Sequence, residues 1–181
     1  RDGYLYTGDL GYMSKEGLLY VKGRFKSLLI SSDGEKYSPE GIEEALVEKS
    51  PYIDQVMLYN NQSNYTTAVI VPNRDQLIRT LKVQGLDLST EKGRKAALTI
   101  LDGEINKYKK GGDFEGMFPE RWLPTCFAVL SEPFTEQNQM INSTMKMVRG
   151  KIEKAYAERI AYMYTAAGKQ LHNQQNIDAL K

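Results

Sequence analysis

A chain of 181 residues with 41% apolar content and a formal charge of +1 has the make-up of a soluble globular protein, with room for one ordinary domain or for one small domain and part of another. Its 24 basic and 23 acidic residues give no basic excess to hold a nucleic acid. No apolar run approaches the ~20 residues of a membrane span, and no signal peptide is visible. The single cysteine, Cys126, excludes an internal disulfide framework and suits a reducing cytosol. It lies in the apolar run Cys126–Leu130, where a buried thiol is the ordinary reading and a nucleophile is not. His172 is the only histidine and stands in a polar segment, so neither a His-rich metal site nor a Ser–His dyad is expected.

Arg1-Asp2-Gly3 leads without an initiator methionine into an aromatic strand, so the chain is expected to be a piece of a larger protein. Residues 4–22 predict a β-hairpin, with Tyr4–Thr7 and Gly17–Val21 as strands and Gly8, Asp9 and Gly11 between them. Leu28-Leu29-Ile30 predicts a short strand buried on both faces. Ser31–Gly34 is then a turn in which Gly34 is free to take a positive φ. Ser38 is placed to cap a helix over 39–50, with Pro39 at its first position. Strands are predicted at Ile53–Tyr59 and Tyr65–Val71, joined by a polar turn over 60–64. A helix capped by Asn73 carries Leu77, Ile78 and Leu81 and stops at Gly85. The next starts at Ser89 or Thr90 and spaces Ala97, Leu98, Leu101, Ile105 and Tyr108 along one face, with Lys107, Lys109 and Lys110 closing it. The aromatic loop over 111–124 should pack mostly against its own sheet. After a strand at Thr125–Leu130, a last helix is expected from Thr144 to Ala167, and 168–181 reads as a frayed helix or disordered polar tail. This order predicts an α+β fold: a small mixed sheet with packed helices, preceded by a β-hairpin.

Three stretches carry chemistry. Tyr6-Thr7-Gly8-Asp9 presents a carboxylate whose two oxygens can accept both hydroxyls of a ribose, although a Gly-Asp pair alone reads as a turn. The second stretch runs Gly23-Arg24-Phe25-Lys26, an apolar strand, the Gly34 loop, then Pro39-Glu40-Gly41-Ile42-Glu43. The third runs from Phe134-Thr135 through a polar loop to Thr144-Met145-Lys146-Met147-Val148-Arg149. A lysine close to a helix start is disfavoured by the helix dipole, which makes Lys146 hard to explain as a merely solvated side chain.

In that order the three stretches resemble the adenylate-forming enzymes, the superfamily of acyl-CoA synthetases, adenylation domains and luciferase. The third resembles the version found in long-chain fatty acyl-CoA synthetases, with Met145 where many members have glycine and Ser143 where that version has proline. The resemblance implies that residues 1–25 are the C-terminal end of the large adenylation domain, 26–167 the mobile C-terminal domain and 168–181 a polar tail. It implies Lys146 as the adenylation lysine, Asp9, Arg24 and Thr7 at the nucleotide, and Lys26 as the hinge. The loop carrying Gly34, Glu35 and Lys36 would face coenzyme A and the AMP phosphate, and no residue of this chain is expected to hold a metal. The implied reaction joins a long-chain fatty acid to coenzyme A at the expense of ATP, releasing AMP and pyrophosphate. Mg²⁺ would be bound mainly by the large domain, and the fragment alone would be inactive. The implied partners are that large domain and the small-molecule substrates. The implied location is cytoplasmic, with peripheral membrane contact left open. An enzyme delivering acyl-AMP to a carrier protein or an amine, or a non-catalytic nucleotide- or acyl-binding module, are the alternatives.

Overall fold

The structure, a computed structural model, describes residues 3–24 and 27–181, with only the backbone described at 22–24. The hinge expected at Lys26 and the side chain of Arg24 therefore lie outside the described residues.

Period-two alternation organises the core. Three strands, β5 (Ile53–Tyr59), β7 (Thr66–Pro72) and β8 (Pro124–Val129), form a mixed sheet with β7 in the centre, antiparallel to β5 and parallel to β8. Val56, Leu58, Ala68, Ile70, Phe127 and Val129 fall on one face, and Met57, Val69, Val71, Cys126 and Ala128 on the other. The first face is covered by α1 (Glu40–Lys49), α2 (Arg74–Val83) and α3 (Glu91–Asn106), through residues such as Leu46, Leu77 and Leu101. The second is covered by α4 (Arg149–Ala155) and α5 (Ala157–Met163), through Ile152, Ile160 and Met163. Helices on both sides explain why β7 is buried at every residue.

A smaller mixed sheet joins β3 (Leu29–Ser31) to β4 (Lys36–Tyr37) antiparallel and to β6 (Asn61–Ser63) parallel. Together the two sheets and their helices form the expected α+β architecture. Strand β6 occupies the predicted polar turn. Asn60 Oδ1 accepts the Ser63 N–H at 2.9 Å, and Gln62 takes a φ of 57°, so a local polar bond rather than apolar pattern sets this strand. The expectation that Leu28–Ile30 is buried on both faces is corrected: Leu29 is buried, whereas Leu28 and Ile30 are half-buried.

Helix α1 has its N-cap at Pro39 rather than Ser38, with no side-chain cap; the Pro39 carbonyl accepts the N–H groups of Ile42 and Glu43. Asn73 and Thr90 cap α2 and α3 as predicted, accepting from Gln76 and Gly93 at 3.0 and 3.1 Å. Gly85 takes a positive φ of 68° beyond the end of α2.

The N-terminal hairpin pairs β1 (Asp9–Met13) with β2 (Leu19–Arg24), and Tyr12 stacks on Tyr20 with ring centroids 5.0 Å apart. Tyr4–Thr7 forms no strand. Strand propensity needs a ladder partner to act on, and Tyr4, Leu5 and Tyr6 are all more than three-quarters exposed.

Two expectations at the C-terminal end are corrected. The last helix begins at Arg149, not Thr144, because Met145 has a φ of 60°, outside helical backbone; the helix is also interrupted at Tyr156. The segment 168–181 is folded. It carries α6 (Gln174–Ala179), which buries Ile177 and Leu180 on the first sheet face. Asn176 docks on the outer edge of β8, accepting from Val129 N–H at 3.0 Å and donating to the Phe127 carbonyl at 2.9 Å. A side-chain amide thus completes the ladder that an edge strand lacks.

Candidate functional site

Lys146 lies on a short hairpin organised by one side chain. Asn142 Oδ1 accepts from Thr144 N–H at 3.0 Å, Thr144 hydroxyl at 2.8 Å and Lys146 N–H at 2.9 Å. The Asn142 N–H in turn donates to the Lys146 carbonyl at 3.0 Å, and Ile141 bridges antiparallel to Met147. Asparagine suits this hub because its side chain mimics a backbone turn. Met145 stands at the tip in the left-handed region, 72% exposed. That geometry suits glycine better than a side chain: only glycine takes such a φ without steric cost. Lys146 itself is exposed, while its neighbours Ile141 and Met147 pack on the second sheet face. Further back, Phe134 is fixed by a reciprocal pair with Gln55: its N–H donates to Oε1 at 2.7 Å and its carbonyl accepts from Nε2 at 3.0 Å.

The base of this loop is held by Arg149. Its guanidinium donates to both carboxylate oxygens of Glu43 on α1 and to the Leu58 carbonyl at 3.0 Å, while Glu43 accepts the Leu58 N–H at 2.6 Å. Glu43 is 4% exposed. Burial pushes its carboxyl above the usual carboxylate range, against the Arg149 guanidinium and the Leu58 N–H, which favour the ionised form. Among the described residues β5 is an edge strand, with no strand beside Leu58 on that side. The ion pair therefore satisfies the strand edge at Leu58 and ties it to α1 and to the end of the loop. Glu43 had no assigned role in the sequence. The pattern that contains it offered the signal: a carboxylate at a position otherwise facing the core.

The Gly34 loop connects β3 to β4. Gly34 takes a φ of 84°, as its sequence predicts, with open space where a Cβ would stand. Asp33 Oδ1 accepts from Ser31 Oγ at 2.6 Å and from Glu35 N–H at 3.0 Å. Glu35 is gripped by Arg121, whose Nε and Nη2 reach its two oxygens at 2.5 Å each; this pairing holds the Glu35 carboxyl below its usual range. Next to Arg121, Trp122 stacks on Tyr37 with centroids 5.1 Å apart and planes within 6°. Phe114 and Phe118 pack against the core beside Tyr108, so the aromatic loop does pack on its own domain.

Thr7 and Asp9 lie at the start of the hairpin, where the Asp9 N–H donates to Thr7 Oγ1 at 3.2 Å and Gly8 takes a φ of 79°. Asp9 faces position 24 across the ladder. The nucleotide candidates Asp9 and Arg24 are therefore brought into register, while Lys146 and the Gly34 loop sit on other elements. Surface clefts of about 440 and 220 Å³ open among other residues, and none of the described site candidates lines either. Among the described residues no three His, Cys, Asp or Glu side chains converge to hold a metal, and no helix is long and apolar enough to cross a membrane.

No family model matches the chain. Curated proteins do. Fatty acyl-CoA synthetase B of Dictyostelium discoideum is 28% identical over 171 residues, covering 91% of this chain and 24% of its own length. A long-chain-fatty-acid–CoA ligase of Gallus gallus is 25% identical over 202 residues, covering 99% and 25%. A putative fatty-acid–CoA ligase of Mycobacterium tuberculosis is 30% identical over 167 residues, covering 91% and 28%. The chain thus spans about a quarter of the length of the curated relatives it matches. Among solved structures, the adenylation domain of a carboxylate reductase from Mycobacterium chelonae superposes with a TM-score of 0.73 at 25% identity, covering 90% of this chain and 23% of that one. With these relatives in sequence and structure, the chain belongs to the adenylate-forming superfamily of acyl-CoA ligases and adenylation domains.

Proposed function

We propose that this chain is the C-terminal part of an AMP-forming fatty acid–CoA ligase of the long-chain group, with residues 1–25 closing the large domain, 26–167 forming the mobile domain and 168–181 completing its core. Within it, Lys146 serves acyl-adenylate formation. The observation that carries the reading is the placement of Lys146: an exposed ammonium on a hairpin tied down by Asn142 and anchored by the Arg149–Glu43 pair. In the first half-reaction a fatty acid carboxylate oxygen bonds to the α-phosphorus of ATP and the bond to pyrophosphate breaks. Two anions meet there, and charge grows on the phosphoryl oxygens. A lysine held in advance at that point lowers the barrier by preorganised charge and by positioning. In the second half-reaction the thiol sulfur of coenzyme A bonds to the acyl carbon, its proton is lost and AMP leaves. The loop of Gly34, Glu35 and Lys36 would serve that step, with Gly34 letting the pantetheine arm run close to backbone. The carboxylate of Asp9 fits the ribose hydroxyls, with Thr7 and Arg24 beside it. Mg²⁺, which neutralises phosphate charge in this chemistry, has no cluster of ligands among the described residues, and no step is assigned to it.

The exposed apolar side chains of the hairpin, among them Met13, Leu19 and Val21, support its reading as the closing strands of a larger domain. The second reading is transfer of the acyl group to a carrier-protein thiol instead of that of coenzyme A, and the likeness to the adenylation domain of a carboxylate reductase, which by name is no CoA ligase, supports it. Half-reaction assays on the full-length protein test both readings. Lys146→Ala should slow acyl-adenylate formation by ~10²–10³, the scale of one lost preorganised charge, and spare thioester formation from supplied acyl-AMP. Equal loss in both would reject the assignment, and thioester formation only on a carrier-protein thiol would select the alternative.

A further inference from the structure

The Gly34 loop is held from outside by one side chain that the sequence motifs do not contain. Within the loop the bonds are local: Ser31 N–H to the Glu35 carbonyl at 3.0 Å, Gly34 N–H to the Ser31 carbonyl at 2.9 Å, and the two bonds that the Asp33 carboxylate accepts. Ser32, Asp33 and Gly34 are exposed at its tip. Two longer-range attachments restrain that tip: Ser32 N–H donates to the Ser63 carbonyl at 3.2 Å, and the Arg121 fork closes on Glu35, 86 residues away in sequence. Arg121 projects from a fixed wall. Its neighbour Trp122 stacks on Tyr37, and the buried Tyr37 hydroxyl pairs with Thr66 Oγ1 at 2.5 Å on the central strand β7. A planar guanidinium that meets both oxygens of a carboxylate fixes orientation as well as distance. The Arg121 side chain is two-thirds exposed, so it adds little to the core. Its geometry is spent on the loop.

We propose that Arg121 is a positioning residue for the thioester-forming step, holding Glu35 so that Gly34 and Lys36 meet coenzyme A in one conformation. This rests on the ligase reading above. Arg121 touches no reacting atom; it acts through Glu35. A free Glu35 carboxylate beside incoming phosphates would repel them, and its pairing with Arg121 also removes that repulsion.

Two measurements test the proposal. On the 181-residue chain, hydrogen exchange in Arg121→Ala should quicken about two- to fivefold at the Ser31, Gly34 and Glu35 amides, the scale of a partly exposed ion pair. The Leu58 amide, held by Glu43, should not change. In the full-length protein the same variant should raise KM for coenzyme A by a similar ~2–5-fold factor and leave acyl-adenylate formation intact, with Arg121→Lys recovering part of the loss. If Arg121→Ala does not accumulate folded, Arg121→Gln, which keeps the bulk and loses the charge, gives the same readings. Unchanged loop exchange, an unchanged KM for coenzyme A, or equal loss in both half-reactions would each overturn the proposal. A wild-type protein that forms no acyl-adenylate would instead sink the ligase reading and the step assigned to Arg121 with it. The exchange data would then still decide whether Arg121 holds the loop.

Discussion

Arg149 and Glu43, 106 residues apart in sequence, form a largely buried ion pair in which Nη2 meets both carboxylate oxygens and which also satisfies the N–H and carbonyl of Leu58. Removing one partner strands a charge in the interior. Glu43→Ala should therefore destabilise the chain by about 3–5 kcal/mol. Replacing both with methionine, often tolerated elsewhere, should still cost about 2–4 kcal/mol here, since the Leu58 edge groups would lose their partners. Urea denaturation of the single and the double variant measures both. A double variant as stable as wild type would show that the Leu58 edge finds other partners.

Met145 occupies backbone that costs a side chain roughly 1–2 kcal/mol. Met145→Gly removes that cost and adds about 0.4–1 kcal/mol of unfolded-state entropy, so the variant should be neutral to about 1.6 kcal/mol more stable. Because the side chain is 72% exposed, no packing is lost. Met145→Val should be destabilising, since a β-branched residue fits this region worst. Thermal melts of the three proteins should rank glycine at or above methionine, and methionine above valine.

Burial pushes the Cys126 thiol up to about 11 from its usual 9.0, and Sγ donates to the Met163 carbonyl at 3.5 Å. At pH 8 the thiolate fraction is then ~10⁻³ instead of ~10⁻¹, so alkylation by iodoacetamide should be at least ~100-fold slower in the folded chain than in urea. The native state holds this proton more tightly than the unfolded state does. Its contribution to stability is thus complete below pH 9.0 and is lost as pH rises through about 11. Comparable alkylation rates in the two states would place the thiol at the surface.

The end of the chain offers a test of the β8 edge. Asn176→Leu keeps the volume and deletes the bonds to Val129 and Phe127, and Arg159 loses its contact with Oδ1 as well. A loss of about 2–4 kcal/mol is expected from two orphaned backbone groups. It would be read as a shift of the urea midpoint, and an unchanged midpoint would mean that the edge is satisfied by water.

Much of this fold is legible from pattern alone. The alternation in Ile53–Tyr59 and the helical spacing from Ala97 to Tyr108 reflect which side chains must leave water. Three of the misreadings share one cause: polar side chains doing backbone work. Asn60 shapes a strand inside a predicted turn, Asn142 turns the chain where a helix was expected, and Asn176 docks a segment expected to be a frayed helix or disordered. Hydropathy counts such residues as solvent-seeking and cannot register that their amides replace a missing strand or helix turn. The candidate site divides the same way. Lys146, Asp9 and Gly34 stand in ordered motifs, whereas Glu35–Arg121 and Glu43–Arg149 join residues far apart in the chain, and no local pattern announces a partner 86 or 106 positions away.

Among the described residues, the earliest member of either core cluster is Leu29, and the hairpin of β1 and β2 contributes nothing to them. A two-stranded ribbon without a third strand is marginal in water. A protease should therefore be able to clip the chain within residues 3–24 without unfolding the two sheets and their helices. The trimmed product should keep the melting behaviour of the whole while losing the exposed apolar surface of Leu19 and Val21.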